Sequence, residues 1–392
     1  MEHAEILHRC FRCGYCKLPG DYTDINCPSY LKFRFETYSP GGRMWLLSAW
    51  LNQQIEPSPR LAEILFSCAA CGNCVEHCVF PAFKDRLLKA FTAGRTALIE
   101  AGKTPPPVRD MFQATKLYGN PYKQAEDQRA RWADGLNLAP FAGQEYLFFV
   151  GSAGAFDERG QRMARAAARL LGRLGVSFGI LGEKEISDGN EIKVMGEQGL
   201  FEHLAGENIR AFQDLGVRKI VTLSPHAFHA FKNEYPGLGG RFEVRHYTHL
   251  LDQALAKVEF PARSQPLRVT YHDPCYLGRH NWEYQTPRQI LSRVPGLELV
   301  EMDRSRGNAL CCGGGGGNFF TDILGHGSDS PARVRVREAV ETGAEVLVVA
   351  CPKCAKMLED ALKAENLDHR LRVLDLAELV AEAWEKTFPP GH

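Results

Sequence analysis

Val348-Val-Ala-Cys-Pro-Lys-Cys354 matches Val221-Thr-Leu-Ser-Pro-His-Ala227 at an offset of 127 positions in a chain of 392 residues. Each copy begins in a short apolar run suited to a buried parallel strand. Similar offsets recur: Ser187-Asp188-Gly189 matches Cys311-Cys312-Gly313 at 124 positions, and Ser152, just after another apolar run, matches Cys275 at 123. So constant an offset makes the two stretches duplicates of one unit. The second copy carries five cysteines, Cys275, Cys311, Cys312, Cys351 and Cys354, where the first has Ser152, Ser187, Asp188, Ser224 and Ala227. Hydroxyls and a methyl do not replace thiolates as soft metal ligands. The first copy is therefore expected to hold no metal.

Working outward, apolar runs at Tyr146–Val150, Val217–Leu223, Leu267–Tyr271 and Val346–Ala350 read as strands. Helical patterns fall at 161–174, 200–215, 287–294, 332–341 and 355–364. Strand–helix alternation predicts parallel-sheet α/β architecture. Further upstream, residues 46–55, 61–66 and 83–99 are helix-compatible, the last ended by Gly102 and Pro105-Pro-Pro107. The expected fold class is α+β multidomain. A helical ferredoxin-type domain (1–100) leads through a helix-bearing connector (101–142) to a degenerate α/β repeat (143–260) and an intact one (261–392).

Of 13 cysteines, eight precede residue 79, none lies between 79 and 274, and five follow. Clustered Cys-x-x-Cys pairs in a reducing compartment indicate metal or redox chemistry rather than disulfides, and an odd total opposes complete pairing. The amino-terminal groups read Cys10-x2-Cys13-x2-Cys16-x10-Cys27-Pro28 and Cys68-x2-Cys71-x2-Cys74-x3-Cys78. Three thiolates at two-residue gaps wrap one face of a cubane, and in two-cluster ferredoxins the distant cysteine serves the other group's cluster. This assigns Cys10, Cys13, Cys16 and Cys78 to one [4Fe-4S] cluster, and Cys27, Cys68, Cys71 and Cys74 to a second. Gly14 and Gly72 sit where backbone is expected to pass close to inorganic sulfide. Zinc, which also uses Cys-x-x-Cys pairs, normally takes two pairs rather than two triplets with a distant fourth ligand.

The carboxy-terminal five lie at or near the ends of expected strands, where open α/β sheets build their sites. Adjacent Cys311 and Cys312 diverge too much to be equal corners of one zinc tetrahedron, but they can ligate different irons of one cluster. Zinc on four of the five, or a metal-free reactive dithiol, are the competing readings. The glycine run 313–317 is expected to let backbone approach a cluster or substrate. No Gly-Lys-Ser/Thr follows it, which removes the phosphate-loop reading. His272, His280 and His326 are candidate proton donors or ordinary loop histidines. Arg279 is a candidate anion anchor or a surface ion-pair partner.

Lys plus Arg equals Asp plus Glu, 47 each, which argues against a nucleic-acid partner. No apolar run approaches the roughly 18–20 residues that span a bilayer. The first ten residues lack the apolar segment of a secretory signal. The expected location is cytoplasmic, with a peripheral seat on a membrane partner left open.

Together, His272-Asp-Pro-Cys-Tyr-Leu-Gly-Arg-His-Asn281, Cys311-Cys-Gly-Gly-Gly-Gly-Gly317 and Ser224-Pro-His-Ala-Phe-His-Ala-Phe-Lys-Asn-Glu-Tyr-Pro236 resemble the CCG (cysteine-rich domain) iron–sulfur proteins, specifically the heterodisulfide reductase group typified by its D-type polypeptide. The resemblance runs from Cys10 to about Leu379. It implies a noncubane [4Fe-4S] cluster on Cys275, Cys311, Cys312, Cys351 and Cys354, with Cys275, Cys311 and Cys312 as the catalytic candidates. In that family two such clusters flank and cleave a disulfide, so the lost first set leaves a one-cluster variant. The implied function is an electron-transfer subunit of an anaerobic oxidoreductase complex, passing single electrons between two cubanes and the CCG cluster and acting on a disulfide or thiol. The alternatives are a purely wiring subunit, as in class II benzoyl-CoA reductase complexes, or a scaffold with structural zinc. Implied partners are flavin- or ferredoxin-linked subunits and a membrane-bound or thiol-carrying protein. No Gly-x-Gly-x-x-Gly follows a strand, which places flavin chemistry on another chain.

Overall fold

Eight short strands form two sheets in the computed structural model, which describes residues 2–19, 24–258 and 266–387. The first sheet contains β1 (Tyr146–Phe149), β2 (Phe178–Gly179), β3 (Lys219–Thr222) and β4 (Glu243–His246), in the order β2-β1-β3-β4. The second contains β5 (Leu267–Tyr271), β6 (Leu297–Leu299), β7 (Val346–Val349) and β8 (Arg372–Asp375), in the order β6-β5-β7-β8. Every pairing is parallel, and equivalent central pairs exist in both sheets: Leu147 faces Ile220, and Val269 faces Val346. The same strand order twice is the duplication seen in the sequence, now at the level of the fold.

All four sequence-expected strands are central ones. β1 and β7 are buried along their whole length, as strands covered by helices on both faces must be. The four edge strands escape an apolar-run search because they are short and partly exposed, as in Glu243-Val-Arg-His246 and Leu297-Glu-Leu299. Helices Glu158–Arg173, Gln198–Asp214, Gln285–Arg293, Pro331–Glu341 and Pro352–Ala364 fall where periodicity placed them, within a few residues at each end. The expected boundary at 260/261 lies outside the described residues.

Alanines 164, 167 and 168 make one face of Glu158–Arg173 thin enough for close packing of the repeats. Arg159, 4% exposed, reaches across to Glu378 at 2.6 Å and Glu359 at 2.7 Å. A second link joins Tyr247, whose hydroxyl donates to Asp375 Oδ2 at 2.7 Å. Burial and the Glu378 charge push the Asp375 carboxyl up to about 7, against the bonds from Tyr247 and Ala377 N–H. The folded chain thus binds more protons here than the unfolded one between about pH 4 and 7, so this contribution to stability is lost as pH rises through that window. Asp375→Asn is expected to flatten that slope, by about 4 kcal/mol over the window; an unchanged pH profile of denaturant unfolding would refute it.

The amino-terminal part is helical: Pro28–Phe33, Pro40–Leu51, Pro59–Phe66, Asn73–His77 and Leu87–Glu100. Ser39 and Ser58 cap the second and third of these, accepting from Gly42 N at 3.0 Å and Leu61 N at 3.2 Å, with proline next in each case. Arg43 is 1% exposed and donates to Ser29 Oγ, Ser67 Oγ, Tyr38 O and Ile64 O at 2.7–3.0 Å. It ties the segment after Cys27 to the segment before Cys68. The connector carries helix Pro106–Tyr118, with Pro106 at its first position. Among the described residues no helix is long and apolar enough to cross a membrane.

Candidate metal centres

β5 and β7 deliver two of the carboxy-terminal cysteine loops. Cys275 follows β5 by four residues, while Cys351 follows β7 and is the residue before helix Pro352–Ala364, whose first turn holds Cys354. Cys311 and Cys312 enter from the loop after Arg306–Asn308. All five are buried, none more than 6% exposed. Cys275 Sγ lies 3.9 Å from Cys311 Sγ, and Cys312 Sγ lies 3.3 Å from Cys354 Sγ. His272 is fully buried, and one of its ring nitrogens lies within 4.8 Å of the sulfurs of Cys312 and Cys354. Its Nδ1 accepts from Arg335 Nε at 3.2 Å, while Nε2 has no protein partner among the described residues. Gly313 N–H points at Cys311 Sγ at 3.3 Å. Five converging soft donors with an unsatisfied imidazole nitrogen beside them fit an iron–sulfur centre, and exceed what one zinc tetrahedron takes.

The eight amino-terminal cysteines line two adjoining cavities. Cys10, Cys13, Cys16 and Cys78 surround one. Cys27, Cys68, Cys71 and Cys74 surround the other, with Cys16 on the shared wall. Each cavity therefore takes three neighbours from one group and the distant cysteine of the other. Cys13 is exposed, whereas Cys27, Cys71 and Cys74 are buried. The second cavity adjoins the CCG loops: Arg279 donates to Cys71 O at 2.8 Å, and the Cys311 thiol is close enough to Cys71 to raise its pKa.

That junction explains several residues differently from their sequence reading. Arg279 is not a surface partner: it is 7% exposed and donates to Cys71 O at 2.8 Å, Ala309 O at 2.6 Å and Gly307 O at 3.2 Å, with Nη2 left without a partner among the described residues. His280 Nε2 donates to Ala70 O at 2.9 Å, and burial with the nearby His229 drives its pKa well down. The glycine run meets the ferredoxin-type loop: a Cβ on Gly315 would lie 2.5 Å from Ala69 O, and one on Gly316 2.2 Å from Cys68 O. Gly72, in the left-handed region at φ 76°, is likewise closed in by the His280 ring. His326 sits on the surface, its side chain 81% exposed beside Asp322, away from the cysteines.

In the first repeat, Ser152, Ser187, Asp188 and Ser224 line a polar cavity, and Ala227 is fully buried. Ser152 Oγ has no hydrogen-bond partner among the described residues. Three residues absent from the sequence reading share this cavity: Glu191, His226 and Lys353. Glu191 accepts from Gly317 N at 2.6 Å and His226 Nδ1 at 2.9 Å, and pairs with Lys353 Nζ. Burial opposes its charge, but Lys353 and His226 outweigh burial and hold the carboxyl well below the usual range. For His226, burial and Lys353 oppose protonation, while bonds to the Cys351 thiol and Glu191 prevail and raise its pKa. The signal was present in the repeat, since His226 and Lys353 occupy equivalent positions of the two copies.

Comparison with known proteins agrees with this geometry. A family model described as a 4Fe-4S dicluster domain matches residues 6–80. The Cysteine-rich domain (CCG) model matches twice, at 146–232 and 269–359. The chain is 35% identical over 335 residues to the probable iron-sulfur-binding oxidoreductase FadF of Bacillus subtilis, covering 82% of this chain and 46% of that protein. It is 33% identical over 430 residues to the EtfAB:quinone oxidoreductase of Syntrophomonas wolfei, covering 97% and 58%. The chain thus spans about half the length of these two relatives. Against the D-type polypeptide of the dihydromethanophenazine:CoB--CoM heterodisulfide reductase of Methanosarcina barkeri, identity is 32% over 404 residues, covering 96% of this chain and 94% of that one. A dicluster ferredoxin region, two CCG repeats and near full-length similarity place the chain among the iron–sulfur proteins of the heterodisulfide reductase HdrD family.

Proposed function

We propose that this chain conducts single electrons along one line, from the Cys10–Cys13–Cys16–Cys78 centre, through the Cys27–Cys68–Cys71–Cys74 centre, to the five-cysteine CCG site. The observation that carries this reading is the contiguity of the sulfurs. One cysteine edge is open to solvent at Cys13, Cys16 borders both ferredoxin-type cavities, and the Cys68–Cys71 segment meets the CCG loops through Arg279 and Gly315–Gly316, with Cys311 near Cys71. Bound there, two [4Fe-4S] cubanes and a noncubane [4Fe-4S] cluster would supply one-electron redox steps.

The protein's own groups hold that line together and set its local polarity. Arg279 and the glycine run clamp the Cys68–Cys71 segment against the CCG loops. Gly313 N–H points at Cys311 Sγ, and hydrogen bonds from Cys354 and His226 hold the Cys351 thiol well below its usual range despite burial. A ring nitrogen of His272 lies within 4.8 Å of the Cys312 and Cys354 sulfurs, placed to hydrogen-bond a ligand sulfur. The reaction class is reduction or formation of a disulfide or thiol, with a flavin- or ferredoxin-linked protein at the other end. A purely wiring role is the second reading. What favours it is the first repeat, which has hydroxyls and a carboxylate where a second cluster would be needed for two-cluster disulfide cleavage.

Anaerobic metal analysis with EPR, with and without a small thiol, tests both. Roughly twelve irons per chain and a new signal on adding thiol are expected for thiol chemistry at the CCG site. Twelve irons with an unmoved spectrum would favour wiring. Eight irons and one zinc would overturn the three-cluster line.

A further inference from the structure

Phe11, Val79 and Trp45 are 74%, 51% and 44% exposed, unusual for side chains of their size, and all three lie near the first cysteine cavity. Phe11 lines that cavity together with Arg12 and Phe80, and its ring centroid is 5.1 Å from that of Phe80. Trp45 donates through Nε1 to Cys10 O at 3.3 Å, and the Arg12 guanidinium stands 4.1 Å over the Trp45 ring. The cysteine-bearing strip of the rim is cationic, and the exposed Glu5 and Glu36 that flank it are paired with Arg86 and Lys17. Residues 6–19 contain His8, Arg9, Arg12 and Lys17 and not one aspartate or glutamate. Lys17 is paired with Glu36, whereas His8, Arg9 and Arg12 are exposed.

An apolar patch with aromatic and arginine anchors is the composition of a binding hot spot. Its small size suits a transient encounter rather than a permanent interface. The adjacent cations select the sign of the partner, since complementary charge accelerates encounter and suppresses like-charged proteins. We propose that this face docks an acidic one-electron carrier protein, which exchanges electrons with the chain at the Cys10–Cys13–Cys16–Cys78 centre. The proposal rests on the cluster reading given above. The step is one outer-sphere electron: the carrier is oxidised by one as the centre is reduced by one, and no bond forms or breaks.

The test is stopped-flow reduction of the iron-loaded chain by two donors, a reduced ferredoxin of net negative charge and the methyl viologen radical cation, which needs no docking surface. With ferredoxin, the second-order rate is expected to fall as salt is raised. His8→Glu with Arg9→Glu, two exposed residues outside the cavity, is expected to slow it about tenfold or more and to remove most of the salt dependence. The viologen rate and the cubane EPR signals are expected to stay unchanged, which also shows that the variant is folded and loaded. A ferredoxin rate that ignores the double substitution while viologen reduction is normal overturns the docking surface alone. So does a wild-type rate that rises with salt, or binding to anionic lipid vesicles that displaces ferredoxin. Absence of cubane signals from the wild-type chain overturns the cluster reading itself, and is told apart by the EPR spectrum taken before mixing.

Discussion

Cys312→Ser is expected to remove one whole centre, lowering iron from roughly twelve to roughly eight per chain. Cys312 sits at the middle of its site, 3.3 Å from Cys354, in the group it forms with Cys354 and His272, and joined in the chain to Cys311. A serine hydroxyl is a hard, weakly acidic donor that does not hold iron against sulfide. It would also be a buried polar group, because Cys312 is 3% exposed. The ferredoxin-type cavities draw no ligand from this loop, so their two EPR signals should survive. Thiol-coupled turnover should be lost with the centre if the CCG site is where chemistry occurs. The Cys27–Cys68–Cys71–Cys74 signal should also change its relaxation, because its neighbour across the Cys71–Cys311 junction is gone. Retention of all the iron by this variant would count against the five-cysteine assignment.

The sequence revealed what depends on residue type and lost what depends on approach. Central strands were legible because a strand buried on both faces must be apolar throughout, as Val346-Leu-Val-Val349 is; edge strands such as Arg372–Asp375 carry no such requirement. Thiolate chemistry was legible because few other roles need triplets of cysteines at two-residue gaps. The loss of thiols from the first repeat was legible because duplication supplies its own reference, Ser152 against Cys275 and Ser224 against Cys351. By contrast, the glycine run does more than its expected approach to the cysteine site, where Gly313 N–H meets Cys311 Sγ: Gly315 and Gly316 also seat against Ala69 O and Cys68 O. Absence of a side chain shows that something comes close, and only the fold shows what. The contacts of Arg279 were hidden for the same reason. A guanidinium that binds three main-chain carbonyls of two distant segments has no local signature. Glu191 was hidden most completely, because its three partners lie 35, 126 and 162 positions away in the chain.

Glu191 also carries the second large expected effect. Glu191→Ala removes one carboxylate and leaves the Lys353 ammonium at 7% exposure and the His226 imidazole at 5% without their shared partner. It also frees the Gly317 N–H in the loop that seats against the ferredoxin-type domain. Breaking a buried ion pair from one side costs about 3–5 kcal/mol, so a marked drop in melting temperature is expected. Because a chain of several domains need not unfold in one step, that shift is best read alongside a local observable. His226 owes its raised pKa to the Cys351 thiol and to Glu191. Without the carboxylate its hydrogen bond to the Cys351 sulfur weakens, and weaker hydrogen bonding to a ligand sulfur lowers a cluster's reduction potential. Glu191→Gln keeps an acceptor for Gly317 N–H but loses the charge, so it should separate the two effects: smaller loss of stability, similar fall in potential. EPR-monitored redox titration of the CCG centre in both variants checks this. If the potential stays put in each while only stability falls, Glu191 braces the two repeats and has no hold on the cluster. If both quantities move as expected, the cysteine-free first repeat has a chemical reason to remain: its Glu191 and His226 act on the Cys351 end of the five-cysteine site in its twin.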